Sequence, residues 1–178
     1  NAQKIFPLLT SKTPAIRARA AFSLASIQDS LATPLLLALL KDPVSSVRAD
    51  VAFALGQTAD STVSNALLMA FAQEKDANVR QRLLEALGKK GSRSSLVEVA
   101  SLVLPATLLH YQALAIARYG LRGHHHPKAV QKLMDGLRAT SPELRQNAAY
   151  YFGRVRQTTA WVFVADQVRD IFDRLNQN

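Results

Sequence analysis

A chain of 178 residues with 48% apolar residues can bury a sizeable core without covalent cross-links. It has no cysteine, which excludes disulfides and thiolate metal sites but does not select a compartment, so localisation stays open. A formal charge of +9 favours either a well-solvated surface or anionic partners. Because no uninterrupted apolar run reaches about 18 residues, we expect no membrane contact from this segment.

Residues 42–56, DPVSSVRADVAFALG, form the clearest predicted element. An aspartate and a proline precede the run, and Gly56 follows its last apolar residue. Its apolar positions are Val47, Val51, Ala52 and Leu55. Their spacing predicts one amphipathic helix with both ends marked.

Four other segments repeat this pattern. Aligned on one position, the five copies carry Arg17, Arg48, Arg80, Gln112 and Arg145, at intervals of 31, 32, 32 and 33 residues. An apolar run precedes each copy or follows the last one: 5–9, 31–40, 63–72, 96–104, 129–137 and 161–175. A unit of two short helices cannot bury its apolar face alone, so we expect successive units to stack.

The repeated pattern resembles HEAT repeats. The residues that carry the resemblance are Asp42, Pro43, Val47, Arg48, Ala52, Leu55 and Gly56, with Pro14, Ile16, Arg17, Val79, Arg80, Leu87, Gly88, Pro142, Leu144, Arg145 and Gly153 in other copies. It implies an all-α fold, a right-handed α-solenoid of about five antiparallel helix pairs with an extra C-terminal helix. The fourth copy departs from the pattern, because Tyr111 and Gln112 replace its Val-Arg pair.

We predict that residues 1–178 form a single repeat domain. The predicted repeats are 1–29, 30–59, 60–91, 92–123 and 124–157, followed by a terminal helix at 158–178. Because the chain opens NAQKIF without a methionine, we expect a fragment of a longer protein.

Acidic residues in the turns predict ion pairs with the repeated arginines. Asp42 stands six residues before Arg48, and Glu74 six before Arg80, so each arginine is placed to reach back to its own turn. The resemblance implies that such groups stack along the solenoid as a structural ladder. Its predicted members are Arg17, Asp42, Arg48, Glu74, Arg80 and Arg145.

A second set of residues lies opposite the predicted buried stripe. At 100° per residue, positions 49, 50, 53 and 57 face away from that stripe, and the resemblance implies that this side lines a concave groove. The candidate protein-binding residues are Arg19, Phe22, Asp50, Phe53, Arg82, Glu85, Lys89, Tyr150 and Arg154. Aromatic residues and arginine are the usual anchors of protein interfaces.

The positive charge is concentrated in residues 90–156, which contain ten Lys or Arg and three acidic residues. This distribution favours nucleic-acid binding as an alternative function, and it also serves solubility without any ligand. The candidate anion-binding residues are Arg118, Arg122, Arg154 and Arg156.

No catalytic or cofactor motif is apparent, so we expect neither catalysis nor a cofactor in this segment. The only feature that suggests metal chemistry is the run of His124, His125 and His126, and adjacent imidazoles point in different directions, so we expect no metal site there.

The leading hypothesis is a noncatalytic scaffold for an unknown protein or peptide, with the oligomeric state open. A third alternative is an accessory domain of a larger enzyme. Residues 20–36 and 51–58 resemble HEAT segments that accompany a cyclophilin-type peptidyl-prolyl isomerase domain in some bacterial proteins.

Overall fold

The computed structural model describes residues 2–58 and 61–154, and within these ranges the chain is α-helical without a strand. The helices are α1 (Pro14–Ile27), α2 (Thr33–Leu39), α3 (Ser45–Thr58), α4 (Ser64–Gln73), α5 (Ala77–Lys90), α6 (Arg93–Ser101), α7 (Ala106–Leu121), α8 (Pro127–Leu137) and α9 (Pro142–Arg154). Short 3₁₀ turns precede α1, α2 and α4. The all-α class predicted from the repeats is confirmed.

Local signals explain where several helices begin and end. Pro14 starts α1, where its missing N–H leaves no hydrogen bond unmade, and α1 ends at Gln28 in the left-handed conformation, with φ 56°. The Asp76 carboxylate accepts from the backbone N–H groups of Asn78 and Val79 at 2.9 and 3.1 Å, which caps α5.

The chain divides into two compact units, and the first is Asn1–Ser95. Here α1, α3 and α5 pack side by side, with α2 against α3 and α4 against α5. Leu24, Leu55 and Leu87 occupy corresponding places in the three neighbouring helices and are fully buried. The stacking of helix pairs that the 32-residue period predicts is therefore present in this unit.

The second unit is Leu96–Asn178. Within it α7 packs on α9, and α8 contacts both. Large buried side chains, including Ile116, Tyr119, Leu133 and Met134, fill the space between these helices. The departure at Gln112 does not interrupt the helix, because α7 runs through it from Ala106 to Leu121.

Some sequence predictions differ from the structure in detail. The wheel places position 49 opposite the buried stripe, yet Ala49 is only 4% exposed. That prediction is wrong because α3 has neighbouring helices on two sides and buries more than one stripe. The run at 5–9 is a 3₁₀ helix, Phe6–Thr10, and not an α-helix.

The terminal helix predicted at 158–178, together with Arg156, lies outside the described residues. The single domain and the repeat boundaries stay predictions. None of the helices in the described ranges has the length and apolar character that crossing a lipid bilayer requires.

Candidate functional site

Two ion pairs tie successive repeats together in the first unit. Arg17 donates from Nε and Nη2 to the two oxygens of Asp42 at 2.7 and 2.9 Å, and Arg48 donates likewise to Glu74 at 2.7 and 3.0 Å. Each arginine therefore pairs with the turn of the following repeat. The pairing within one repeat that the six-residue spacing predicts is wrong, because the guanidinium reaches across the helix interface instead.

The same arginines hold their own turns through backbone carbonyls. The Nη1 group of Arg48 donates to the carbonyl of Asp42 at 2.7 Å, and that of Arg17 to Ser11 at 2.8 Å. In the second unit, Arg145 Nη1 donates to the carbonyls of Ala139 and Thr140 at 2.8 and 2.7 Å. The repeated arginine thus closes the turn between the two helices of its repeat.

Arg80 is engaged differently. Its guanidinium lies 4.6 Å from the centre of the Phe71 ring, and its Nε is buried without a hydrogen-bond partner among the described residues. A cation over an aromatic face is a favourable contact.

The paired arginines also shift the titration of their partners. A hydrogen bond from Arg17 lowers the pKa of Asp42, and one from Arg48 lowers the pKa of Glu74, although burial of both carboxylates opposes this.

The predicted protein-binding residues of the first unit come together on α1, α3 and α5. The rings of Phe22 and Phe53 stack at 5.4 Å with an interplanar angle of 14°. Three cations surround this pair: the Arg82 guanidinium and the Lys89 amine lie 5.3 and 5.6 Å from the Phe53 ring centre, and Arg19 lies 5.7 Å from that of Phe22. We call these five residues the aromatic row.

Two carboxylates lie beside the aromatic row. Glu85 accepts from Arg82 at 3.0 Å and from Gln81 at 3.3 Å. Asp50 is half-buried, and desolvation raises its pKa, although the positive charges of Arg82 and Arg19 act in the opposite direction. The row is therefore a mixed surface of aromatic, cationic and acidic groups.

An open cavity of about 370 Å³ adjoins the row at α1. Arg19 belongs to both, and Ile5, Leu8 and Ile16 supply apolar lining. Leu8 and Ile16 are 46% and 42% exposed, so this lining is accessible to a partner.

The remaining predicted protein-binding residues lie on α9 in the second unit. Tyr150 is exposed, and the Arg154 guanidinium lies 5.8 Å from its ring centre. Asn147, on the same helix, donates to the backbone carbonyl of His110 at 2.8 Å and joins α9 to α7.

Two of the four candidate anion-binding arginines, Arg118 and Arg122, lie near the end of α7, whereas Arg154 ends α9. Arg122 places its guanidinium 4.9 Å from the centre of the buried Tyr119 ring, and desolvation lowers its pKa. Arg118 is half-buried, and its Nη1 has no hydrogen-bond partner among the described residues.

The three adjacent histidines have separate surroundings. His126 caps α8 by accepting from the Lys128 N–H at 3.2 Å, whereas His125 Nδ1 lies 3.1 Å from the hydroxyl of Tyr151, whose pKa burial raises to about 12. The His124 ring lies 6.3 Å from that of Tyr119. In the ranges 2–58 and 61–154, no three His, Asp or Glu side chains are grouped as a metal site requires.

Comparison with known proteins identifies the family of this architecture. A profile described as HEAT repeats matches residues 2–96, which is more than half of the chain. The chain belongs to the HEAT-repeat family. Proteins of this family are helical repeat scaffolds. This chain shares two features with them, the repeat pattern in its sequence and the stacked helix pairs of its first unit.

The known proteins that resemble this HEAT-repeat chain include a plant enzyme and an engineered protein. Deoxyhypusine hydroxylase of Arabidopsis thaliana is 29% identical over 133 residues, which cover 75% of this chain and 41% of that protein. The chain thus spans less than half of its relative. The crystal structure of an engineered protein superposes with a TM-score of 0.59 at 20% identity, over 93% of this chain and 86% of the other, and this likeness concerns the fold alone.

Sequence reasoning did not find two features of the HEAT-repeat units. One is the joining of each arginine to the following repeat, which only the helix packing reveals. The other is a cavity in the second unit beside Gln112. The signal for the cavity was present in the sequence, because Gln112 stands where four other repeats have arginine.

Proposed function

We propose that this HEAT-repeat segment is a noncatalytic scaffold that binds a protein or peptide segment through the aromatic row. The observation that carries the proposal is the stacked Phe22–Phe53 pair, which spans two repeats and is flanked by three cations. Phe22 is 41% exposed although it is a large apolar side chain.

The chemistry of the row suits an extended peptide. Rigid aromatic rings give contact area at little cost in conformational entropy, and arginine adds directional donors. The neighbouring cavity at Ile5, Leu8 and Ile16 offers a place for an apolar side chain next to the rings. Asp50 and Glu85 supply acceptors for the donors of a partner.

A peptide-display selection followed by titration tests this function. Peptides selected on the intact chain are titrated against wild type and against a Phe22→Ala/Phe53→Ala variant. We expect the variant to lose at least about tenfold in affinity, since truncating a central aromatic anchor commonly costs 2 kcal/mol or more. Moderate salt is expected to leave the wild-type affinity nearly unchanged, because the main contact is apolar.

The matched control is Leu31→Ala/Met69→Ala, which removes two side chains that are each 63% exposed and lie outside the row. Equal affinities of wild type and the Phe22/Phe53 variant, or equal losses in both variants, contradict a role for the row. We further propose that Tyr150 and Arg154 on α9 form a second contact for a protein partner.

Nucleic-acid binding is the second candidate function. The observation in its favour is the exposed guanidinium side chain of Arg122, which lies in the basic stretch 90–156. Phosphate oxygens are natural acceptors for such donors. Steep salt dependence separates this function from peptide binding by the row.

The third candidate is an accessory role within a larger enzyme. Its support is that a protein named deoxyhypusine hydroxylase matches three quarters of this chain. The larger enzyme of this proposal is equally a peptidyl-prolyl isomerase, which the sequence resemblance implies. We expect the isolated segment to show neither deoxyhypusine hydroxylation nor prolyl isomerisation, and measured turnover in either assay contradicts the noncatalytic function.

A further inference from the structure

The open cavity of about 370 Å³ beside the aromatic row is formed by α1 and the chain just before it. Its lining consists of Ile5, Leu8, Ala15, Ile16, Arg19, Ala20 and Ser23. Ile16, Arg19 and Ser23 share one face of α1, because residues three or four apart lie side by side on a helix. Leu8 belongs to the 3₁₀ helix Phe6–Thr10, which packs against that helix. The volume lies at the lower end of the range of about 300–1,000 Å³ in which proteins bind small ligands.

The lining carries one kind of charge. Among its described residues, Arg19 is the only charged one, and its side chain is exposed. Within the described part of the chain, the Arg19 guanidinium forms neither a hydrogen bond nor an ion pair and contacts only the Phe22 ring, 5.7 Å from its centre. Asp50 on α3 attracts it without pairing with it. The planar donors of Arg19 are therefore available to a ligand, and their geometry suits a carboxylate.

The rest of the lining adds an acceptor and apolar surface. The Ser23 hydroxyl donates to the Arg19 carbonyl at 2.9 Å, so its hydrogen is used and its lone pairs remain for an incoming N–H group. Leu8 and Ile16 are 46% and 42% exposed, and Ile5 is half-buried. All of these groups can be reached from solvent, and together they suit a ligand with a carboxylate, an N–H group and an aliphatic chain.

We propose that this cavity binds the C-terminal residue of the partner peptide, and that this residue is aliphatic. Its carboxylate accepts from the Arg19 guanidinium, its backbone N–H donates to Ser23 Oγ, and its side chain packs on Leu8 and Ile16.

A terminal residue fits because its carboxylate, N–H group and side chain all branch from one Cα, so one small cavity can hold all three. An acidic side chain within a peptide satisfies Arg19 but leaves the apolar lining uncovered by the same residue. The inference rests on the proposed function, because the residues before the terminus then follow the aromatic row from Phe22 to Phe53.

Nuclear magnetic resonance on the intact, methyl-labelled chain tests the site, with N-acetyl-L-leucine as the probe. This molecule carries the carboxylate, the N–H group and the aliphatic chain of a terminal leucine. We expect saturable shifts of the Ile5, Leu8 and Ile16 methyl groups. We expect N-acetyl-L-leucine amide to bind at least about tenfold more weakly, since it lacks the charge-assisted hydrogen bond, and N-acetylglycine about tenfold more weakly, since it lacks the apolar contact.

Absence of any saturable shift with N-acetyl-L-leucine overturns the site. Equal affinity for the acid and the amide overturns the role of Arg19 as the carboxylate partner, and equal affinity for N-acetylglycine overturns the preference for an aliphatic residue.

Two variants locate the binding in the cavity. Arg19→Gln is expected to lose about tenfold for N-acetyl-L-leucine and nothing for its amide. Ser23→Ala removes the acceptor and is expected to weaken both probes by about threefold. The fold tolerates alanine at this position of the repeat, because Ala54 and Ala86 occupy it in α3 and α5. Lys12→Gln removes an exposed cation outside the lining and is the control with wild-type affinity. Unchanged binding in both cavity variants overturns the proposal.

Peptides selected from a library with free C-termini separate this site from the scaffold function. Each peptide is synthesised as the free acid and as the C-terminal amide, and we expect the amide to bind at least about tenfold more weakly. If acid and amide bind equally while Phe22→Ala/Phe53→Ala still loses affinity, the terminal site is wrong and the row stands. If amidation weakens binding while the Phe22/Phe53 variant binds as wild type does, the cavity stands and the row is contradicted.

Discussion

Arg48 and Glu74 show how a single side chain secures the interface between two repeats. Their side chains are 19% and 8% exposed, and the arginine satisfies a carboxylate and a turn carbonyl at once. Removing either partner leaves the other charge largely desolvated. We therefore expect Arg48→Met to lower the free energy of unfolding by about 2–3 kcal/mol, measured by urea denaturation.

The control is Glu85→Gln, which breaks the more exposed pair with Arg82, where the side chains are 37% and 21% exposed. An exposed pair contributes less than about 1 kcal/mol. If both variants lose the same free energy of unfolding, the ion pairs between repeats stabilise the fold no more than an exposed pair does.

The buried carboxylates of these pairs also determine the response to acid. The pKa values of Asp42 and Glu74 are lowered from 3.8 and 4.5, so the unfolded chain binds protons first and the folded chain loses stability as pH falls through the lowered values. We expect an Asp42→Asn/Glu74→Gln variant to be less stable at pH 7 and to show a flatter decline below about pH 4.5.

Asp50 has the opposite effect on the pH dependence of stability. Desolvation raises its pKa above 3.8, so its ionised form costs stability as pH rises through that region. We expect Asp50→Asn to gain stability at pH 7 relative to pH 3, in denaturation curves recorded at both values. A loss at pH 7 would show that attraction to Arg19 and Arg82 outweighs the desolvation.

At the scale of the helices, the approach of α3 to α5 depends on Gly56. A Cβ added there would lie 3.0 Å from the Cα of Ala86 and 3.2 Å from its Cβ, so the two backbones would have to move apart. We expect Gly56→Ala to destabilise the chain by about 1–3 kcal/mol in thermal or urea unfolding.

Gly153→Ala is the matched control, because no atom of the residues that the structure describes lies within 4 Å of a Cβ added there. In an open position of α9, alanine is expected to be neutral or to stabilise by up to about 1 kcal/mol. A similar loss in both variants would mean that the close approach at Gly56 does not limit the packing.

The helices also show what the sequence could reveal. The 32-residue period and the apolar spacing predicted the helix pairs and their stacking, because both follow from the need to bury one face of every helix. The burial of Ala49 and the partner of Arg48 could not be predicted in this way. They depend on how far each helix lies from its neighbour, which spacing along one chain does not record.

The candidate site also has one feature that the sequence predicts and one that it does not. Register alone placed Phe22 and Phe53 one repeat apart on adjacent helices, and the structure stacks their rings. Register did not indicate that three cations lie over those rings, because long side chains choose among many rotamers according to their surroundings.

For the molecule as a whole, the uneven charge distinguishes the two proposed binding functions. Residues 90–156 hold most of the excess of basic residues, whereas the three cations of the aromatic row lie beside two carboxylates, Asp50 and Glu85. A polyanion is therefore expected to prefer the second half of the chain, while a peptide prefers the row.

Titration of a fluorescent duplex oligonucleotide at two salt concentrations tests this separation. If Arg122 and Arg154 contact phosphates, the Arg122→Gln/Arg154→Gln variant weakens binding and lowers the slope of log affinity against log salt by about two, since each lost phosphate contact lowers it by about one. Lys41→Gln/Lys75→Gln removes two exposed cations from the first unit and is expected to change the slope much less.

Equal effects of the two variants indicate attraction by net charge alone. If no salt-sensitive binding is found at micromolar protein concentration, the nucleic-acid function is ruled out. Because neither variant alters Phe22 or Phe53, the contact of a peptide with the row should survive both, and the first variant should lose only the second contact proposed at Arg154.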